Sequence, residues 1–198
     1  MGLDLNPQYG QTELSQEEIE GLIPAYITTN AELNYFEQTN INEALLWLIS
    51  QTPTTENIIE LNFITRLHKK MYGDTWKWAG TFRTTDKNIG ISRATIPIEL
   101  KKLIDDAHFW VSNKVYEPAE IAIRVKHRIV SIHCFFNGNG RHSRLLADTI
   151  IQKGFGLPKF TWGAIAYTDH KSLRKAYLQA LREADIGNIM SLLSFAMS

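Results

Sequence analysis

Apolar residues return every three or four positions through most of this chain, and that spacing limits what it can fold into. Leu33, Phe36, Ile41, Leu45 and Leu48 mark a helix that stops before Pro53, and Ile59, Phe63, Leu67 and Met71 mark another running from Glu56 to Gly73. The pattern resumes behind Pro97 (Leu100, Leu103, Ala107, Trp110) and behind Pro118 (Ile121, Val125, Ile129, Ile132). Both prolines suit a first helical turn, where no backbone N–H is needed. Ser15 and Glu18 have capping-box spacing ahead of Ile19, Leu22 and Ile23, which Pro24 interrupts. A last helical pair starts at Thr168 and breaks near Gly187. Only 80–95 differs: Thr81, Phe82, Thr84, Thr85, Ile89 and Ile91 favour strands around Asp86-Lys87-Asn88, which predicts an irregular β-hairpin. The expected class is all-α with one small β-hairpin flap. Residues 1–13 lack periodicity and read as a loose arm, leaving 14–198 as one domain with a helix near 28–51.

Composition removes several classes of function. The 21 basic and 21 acidic residues cancel to a formal charge of +0, so no overall field favours nucleic acid or an anionic membrane. Cys134 is the one cysteine, which rules out an intrachain disulfide and a cysteine zinc site. No run of ~18 apolar residues suits a membrane span, and no basic-then-apolar leader is present. A cytoplasmic location is the default expectation. Nothing in the sequence sets the oligomeric state.

Chemistry concentrates in His133-Cys134-Phe135-Phe136-Asn137-Gly138-Asn139-Gly140-Arg141-His142-Ser143-Arg144. An imidazole is followed by a glycine-rich turn and then by two arginines on one face of a helix expected to run from Arg141 to Gly154. Backbone N–H groups at such a helix start suit phosphate. Two cations there oppose the helix dipole, typically by ~0.3–1 kcal/mol, so an anion should offset them. A polyphosphate is the simplest candidate, with His133 as base, since an unperturbed imidazole titrates at about 6.5. Blander readings exist for each part: a histidine ending a helix, an ordinary Asn-Gly turn, surface cations. Cys134 reads as a small filler; a nucleophile beside a histidine is the alternative. His68, His108, His127, His142 and His170 lack metal-ligand spacing and read as surface or packing residues.

This run resembles the Fic motif, His-x-Phe-x-(Asp/Glu)-Gly-Asn-Gly-Arg-x-x-Arg, at every fixed position except Asn137. Upstream, Trp76-Lys77-Trp78-Ala79-Gly80-Thr81-Phe82-Arg83 and Asn88-Ile89-Gly90 stand where the family carries its flap. With Thr28-Thr29-Asn30-Ala31-Glu32-Leu33-Asn34, the chain is most similar to the subgroup called mobile mystery protein B. The resemblance implies protein adenylyltransfer: His133 deprotonates a Tyr, Ser or Thr of a target protein, whose oxygen attacks the α-phosphate of ATP. It assigns Asn137, Gly138, Asn139 and Gly140 to the phosphate cradle, and Arg141 and Arg144 to the β- and γ-phosphates. Asn137 takes the slot of an acidic Mg²⁺ ligand; its amide still offers one neutral oxygen. The resemblance also makes Thr28 and Glu32 inhibitory, with Glu32 paired to Arg144. An ordinary helix start is the competing reading. Asn88, Ile89, Gly90 and Ile91 would dock the target by strand addition. Two other functions stay open: removal of AMP with Glu32 positioning water, and a catalytically weak nucleotide-binding module. The Trp76–Trp78 pair is an interaction surface or, more simply, core packing.

Overall fold

The computed structural model describes residues 14–198, so the arm expected over 1–13 lies outside the described residues. Capping decides where several helices begin. Ser15 and Glu18 form the expected box at α1 (Gln16–Glu20), and Thr29 and Glu32 form a second at α2 (Asn30–Ile49). Thr54 caps α3 (Thr55–Ile59), and Asp169 caps α8 (His170–Asp185). Pro97 and Pro118 sit in the first turns of α5 (Ile96–Asn113) and α6 (Pro118–Ile132). α4 (Leu61–Tyr72), α7 (Asn139–Thr149) and α9 (Ile189–Met197) complete the set.

α6 is the central helix. It packs on α5, α7 and α9, and Ile121, Ala122, Ile123, Val125, Ile129 and Ile132 are all buried. A helix apolar on so many sides belongs inside a domain. α2 lies on α4, and α4 reaches α7, so the motif helix is held between the two halves of the bundle. Among the described residues, no helix is long and apolar enough to cross a membrane.

Four local expectations are corrected. The helix read from Glu56 to Gly73 is two helices, because Glu60 is extended (φ −70°, ψ 147°). That break lets neighbouring Ile58 and Ile59 both face the core. The buried stripe of α2 runs through Leu33, Glu37, Asn40, Ala44 and Leu48, leaving Leu45 exposed. The motif helix starts at Asn139 rather than Arg141, and its last turn widens into a π-helical turn over Ile150–Gly154. The hairpin does not form. Among the described residues its only bridge joins Phe82 to Phe135, and a 3₁₀ turn follows at Arg93–Thr95. Strand-forming composition lost because guanidinium groups took the carbonyls that a ladder needs. Arg83 donates to Thr85 O at 2.8 Å and to Ile91 O, while Arg93 Nη1 donates to Thr84 O at 2.5 Å.

Candidate active site

His133 closes α6 in the left-handed region (φ 54°, ψ 53°), with its N–H donating to Ile129 O at 3.1 Å. A non-glycine residue there costs on the order of 1 kcal/mol, a strain that concentrates at functional turns. The residue is buried, and this desolvation pushes the imidazole down to about 4. A hydrogen bond with the Val130 backbone opposes the shift, while Arg83 and Lys87 reinforce it. The ring is therefore neutral at pH 7 and able to accept a proton.

Behind the loop stands a wall of neutral groups. Phe135 is fully buried, stacked on His68 at 3.8 Å between centroids. Gly80 N–H donates to His68 Nδ1 at 3.0 Å, so the proton of this histidine sits on Nε2, which donates to Asn137 O at 3.0 Å. His142 Nε2 donates to Ile64 O at 2.9 Å. Burial holds His68 well below the usual histidine range and His142 down to about 4. Both are packing residues, as expected. Asn139, assigned to nucleotide binding, spends its side chain inside the loop: Phe135 N–H donates to Oδ1 at 3.0 Å and Nδ2 donates to Phe135 O at 2.9 Å. Only its backbone is left for a ligand. Gly138 is needed for its backbone (φ 77°) and for space, since a Cβ there would lie 2.6 Å from the Tyr72 ring. At Gly140 a Cβ would meet nothing within 4 Å. The start of α7 thus opens onto free space, with the N–H groups of its first turn unpaired within the helix.

In front of the loop the groups are charged. Arg141 Nη2 lies 2.7 Å from Glu37 Oε2 on α2, and its guanidinium stands 5.3 Å from the Tyr72 ring centre. Trp76 Nε1 donates to the other Glu37 oxygen at 2.8 Å. Arg144 lies 4.0 Å over the Tyr177 ring and 5.5 Å from that of Trp162. Tyr177 O–H accepts from the buried Lys126 Nζ at 2.7 Å. Burial alone would raise the phenol, but Lys126 and Arg144 outweigh it and leave it lowered. Beyond Trp162, Asp148 accepts the indole N–H at 3.0 Å, and burial pushes its carboxyl up to about 6. Cys134 is fully buried with its thiol raised to about 12 by desolvation, which disposes of the nucleophile reading.

Glu32 is not at Arg144. Its carboxylate accepts from Thr28 N at 2.8 Å, Thr28 Oγ1 at 3.1 Å and Thr29 N at 3.0 Å, all at the exposed start of α2. The backbone N–H of Thr28 is its first partner and holds the carboxyl below the usual range. Asn137 Oδ1 accepts the Gly138 N–H at 2.6 Å, so the loop as it stands does not fit Mg²⁺. No carboxylate joins it, and among the described residues no group of three His, Cys, Asp or Glu side chains could hold a metal ion. Asn88 and Ile89 are exposed, while Ile91 N–H donates to Ile132 O at 3.4 Å. That seats the 88–91 segment against the end of α6, beside His133. Trp76 and Trp78 are buried and stacked.

Glu37, Tyr72, Arg83, Lys126 and Tyr177 were missed in the sequence. One signal was available: Glu37 and Lys126 each interrupt an apolar stripe, at Leu33–Glu37–Ala44 and Ala122–Lys126–Ile129.

Residues 58–151 match the Fic/DOC family. A protein adenylyltransferase Fic from Nematostella vectensis is 27% identical over 167 residues, 82% of this chain and 37% of that protein. Another from Drosophila grimshawi is 30% identical over 142 residues, 69% of this chain and 28% of that protein. The chain therefore spans well under half the length of these relatives. Among solved structures, Fic-1 (residues 134–508) from C. elegans superposes with a TM-score of 0.69 at 24% identity, covering 91% of this chain and 52% of that one. BepC from Bartonella tribocorum with bound AMPPNP gives 0.65 at 18% identity, covering 92% and 97%.

Proposed function

Residues 58–151 form a Fic/DOC family domain, and from that premise we propose that this chain transfers AMP from ATP to a hydroxyl side chain of a target protein. The observation that carries the reading is His133: a neutral imidazole at the left-handed end of α6, one short loop from a helix start that opens onto free space at Gly140. Its relatives named protein adenylyltransferase support the same chemistry.

His133 takes the proton of the target hydroxyl. The oxygen forms a bond to the α-phosphorus of ATP as the bond to the bridging oxygen breaks, and pyrophosphate leaves. The amides of Asn139 to Arg141 and the dipole of α7 receive phosphate oxygens. Arg141 and Arg144 then counter the charge on the leaving group. The exposed 88–91 segment is the docking edge for the target.

Restraint falls to Glu37 rather than Glu32. Glu37 occupies Arg141 with a carboxylate where a phosphate oxygen has to bind. With Glu32 consumed by capping, the reading in which it positions water for AMP removal loses its residue.

The test is transfer of label from α-labelled ATP in cell lysate. His133→Ala should reduce it by ~10²–10⁴-fold and leave ATP affinity within about twofold, because a base acts in the transition state. Undiminished transfer would remove His133 as the base. Equal ATP binding without any transfer by the wild-type chain would favour the nucleotide-binding module.

A further inference from the structure

Arg83 stands outside the Fic motif, yet it is tied directly to the motif histidine. Its side chain is fully shielded from solvent. Nε donates to His133 O at 2.7 Å, Nη1 to Thr85 O at 2.8 Å, and Nη2 to Ile91 O. Among the described residues its one carboxylate contact, Asp86, is 3.4 Å away and largely exposed. A buried guanidinium served mainly by carbonyls is a costly way to close a loop. Its donors, however, reach three places at once: the base, the outgoing limb of 84–91 and the returning limb. Its backbone N–H also donates to Cys134 O at 3.0 Å. A second contact fits the same lock. Gly90 has φ 88°, and a Cβ there would lie 2.5 Å from His133 Cβ and 3.0 Å from Ile132 O.

We propose that Arg83 is a positioning residue for adenylyl transfer, fixing the exposed edge from Asn88 to Gly90 at a set distance from His133 and so selecting which hydroxyl of a docked segment reaches the base. The proposal rests on His133 as base and 88–91 as docking edge. Arg83→Lys isolates it, because the charge is kept while one ammonium cannot span three carbonyls. The charged groups acting on the His133 ring are Arg83 and Lys87, the latter paired at 2.6 Å with Glu18 of α1. Neither formal charge changes in this variant, so a shifted imidazole reports displacement of the loop, through access of water and through the distance of these two cations.

The experiment is NMR titration of the histidine ring protons with amide exchange on the folded chain. In Arg83→Lys, His133 should titrate about one unit or more above its wild-type value, moving toward 6.5 as the loop lifts. Protection of the Ile91 and Arg93 amides should fall about tenfold or more, with α4 and α6 interior amides unchanged. His68 and His142, behind Phe135, should not move. Uniform loss of protection with all three histidines shifted would mean a merely structural role and overturn the proposal, as would an unmoved His133. If Arg83→Lys does not fold, Gly90→Ala pushes the loop off His133 with Arg83 intact, and the same His133 shift is expected; its absence also overturns the proposal. With α-labelled ATP, Arg83→Lys should lose about tenfold in label transfer at unchanged ATP affinity, and undiminished transfer would overturn the proposal. No transfer by the wild type would count against the adenylyl-transfer reading alone, since the NMR and exchange results address Arg83 directly.

Discussion

The motif loop has two sides built on opposite principles. Behind it, His68, His142, Phe135 and Asn139 are buried and uncharged, and each polar side chain serves a backbone group of the loop or of α4. In front, Arg141 and Arg144 are cations held by contacts a ligand can replace: one carboxylate, three aromatic faces and a phenol. The back fixes shape through neutral groups that cannot adapt. The front keeps charge available by giving each arginine a provisional partner. Rigidity and readiness are thereby separated within one turn of α7.

The largest effect should come from acid, and it strikes the buried histidines: His133 at the loop, and His68 and His142 behind it. His133 and His142 titrate at about 4 in the folded chain against 6.5 for an unperturbed histidine. The unfolded chain then binds more protons between those values, so stability is intact above pH 6.5 and falls as pH drops toward 4. At about 1.4 kcal/mol per unit, the loss at pH 4 is on the order of 3 kcal/mol for each. His68, also lowered, adds to it; protonating its Nδ1 would set an N–H against the Gly80 N–H. Urea denaturation at stepped pH measures this, and an unchanged midpoint from pH 6.5 to 4 would break the contrast.

Next is Tyr177→Phe on the front. Losing the phenol leaves Lys126 buried without its acceptor, and about 2–3 kcal/mol of stability should go with it. In a Lys126→Met background the same change should cost little, because no buried charge is then stranded. Equal costs in both backgrounds, by urea denaturation, would show that the hydroxyl does not answer to Lys126.

Glu37→Gln should tighten ATP binding by about fivefold, corresponding to the roughly 1 kcal/mol expected of a half-exposed ion pair. Glutamine keeps an oxygen for the Trp76 N–H, so stability should hold. Calorimetric titration decides it, and unaltered affinity would mean that Arg141 is not contested. Smallest of all is Glu32→Ala, with a slight loss of thermal stability from the α2 cap and no change in ATP affinity. A gain in affinity there would return the inhibitory role to Glu32.

What was legible in the sequence was local. Helical spacing, the capping box of Ser15 and Glu18, and the motif from His133 to Arg144 depend on neighbours within a few positions, so they could be read directly. The break at Glu60 carries no proline or glycine to announce it. Thr84, Thr85 and Ile91 are genuine strand formers, but two guanidinium groups outbid a partner strand for their carbonyls. Glu32 misled because the spacing expected of an inhibitory glutamate also makes an ordinary capping box. Glu37 stayed hidden because its partners, Trp76 and Arg141, meet it only after the chain has folded back on α2.

Cys134 gives the molecule a clock. The only thiol in the sequence lies between the base and the buried Phe135, inaccessible and held protonated by its surroundings. A thiol reagent can reach it only while the segment around His133 is open, so labelling proceeds at a rate set by those openings. Followed with and without nucleotide, that single reaction converts the closure of the motif loop into a lifetime, with no probe added to the chain.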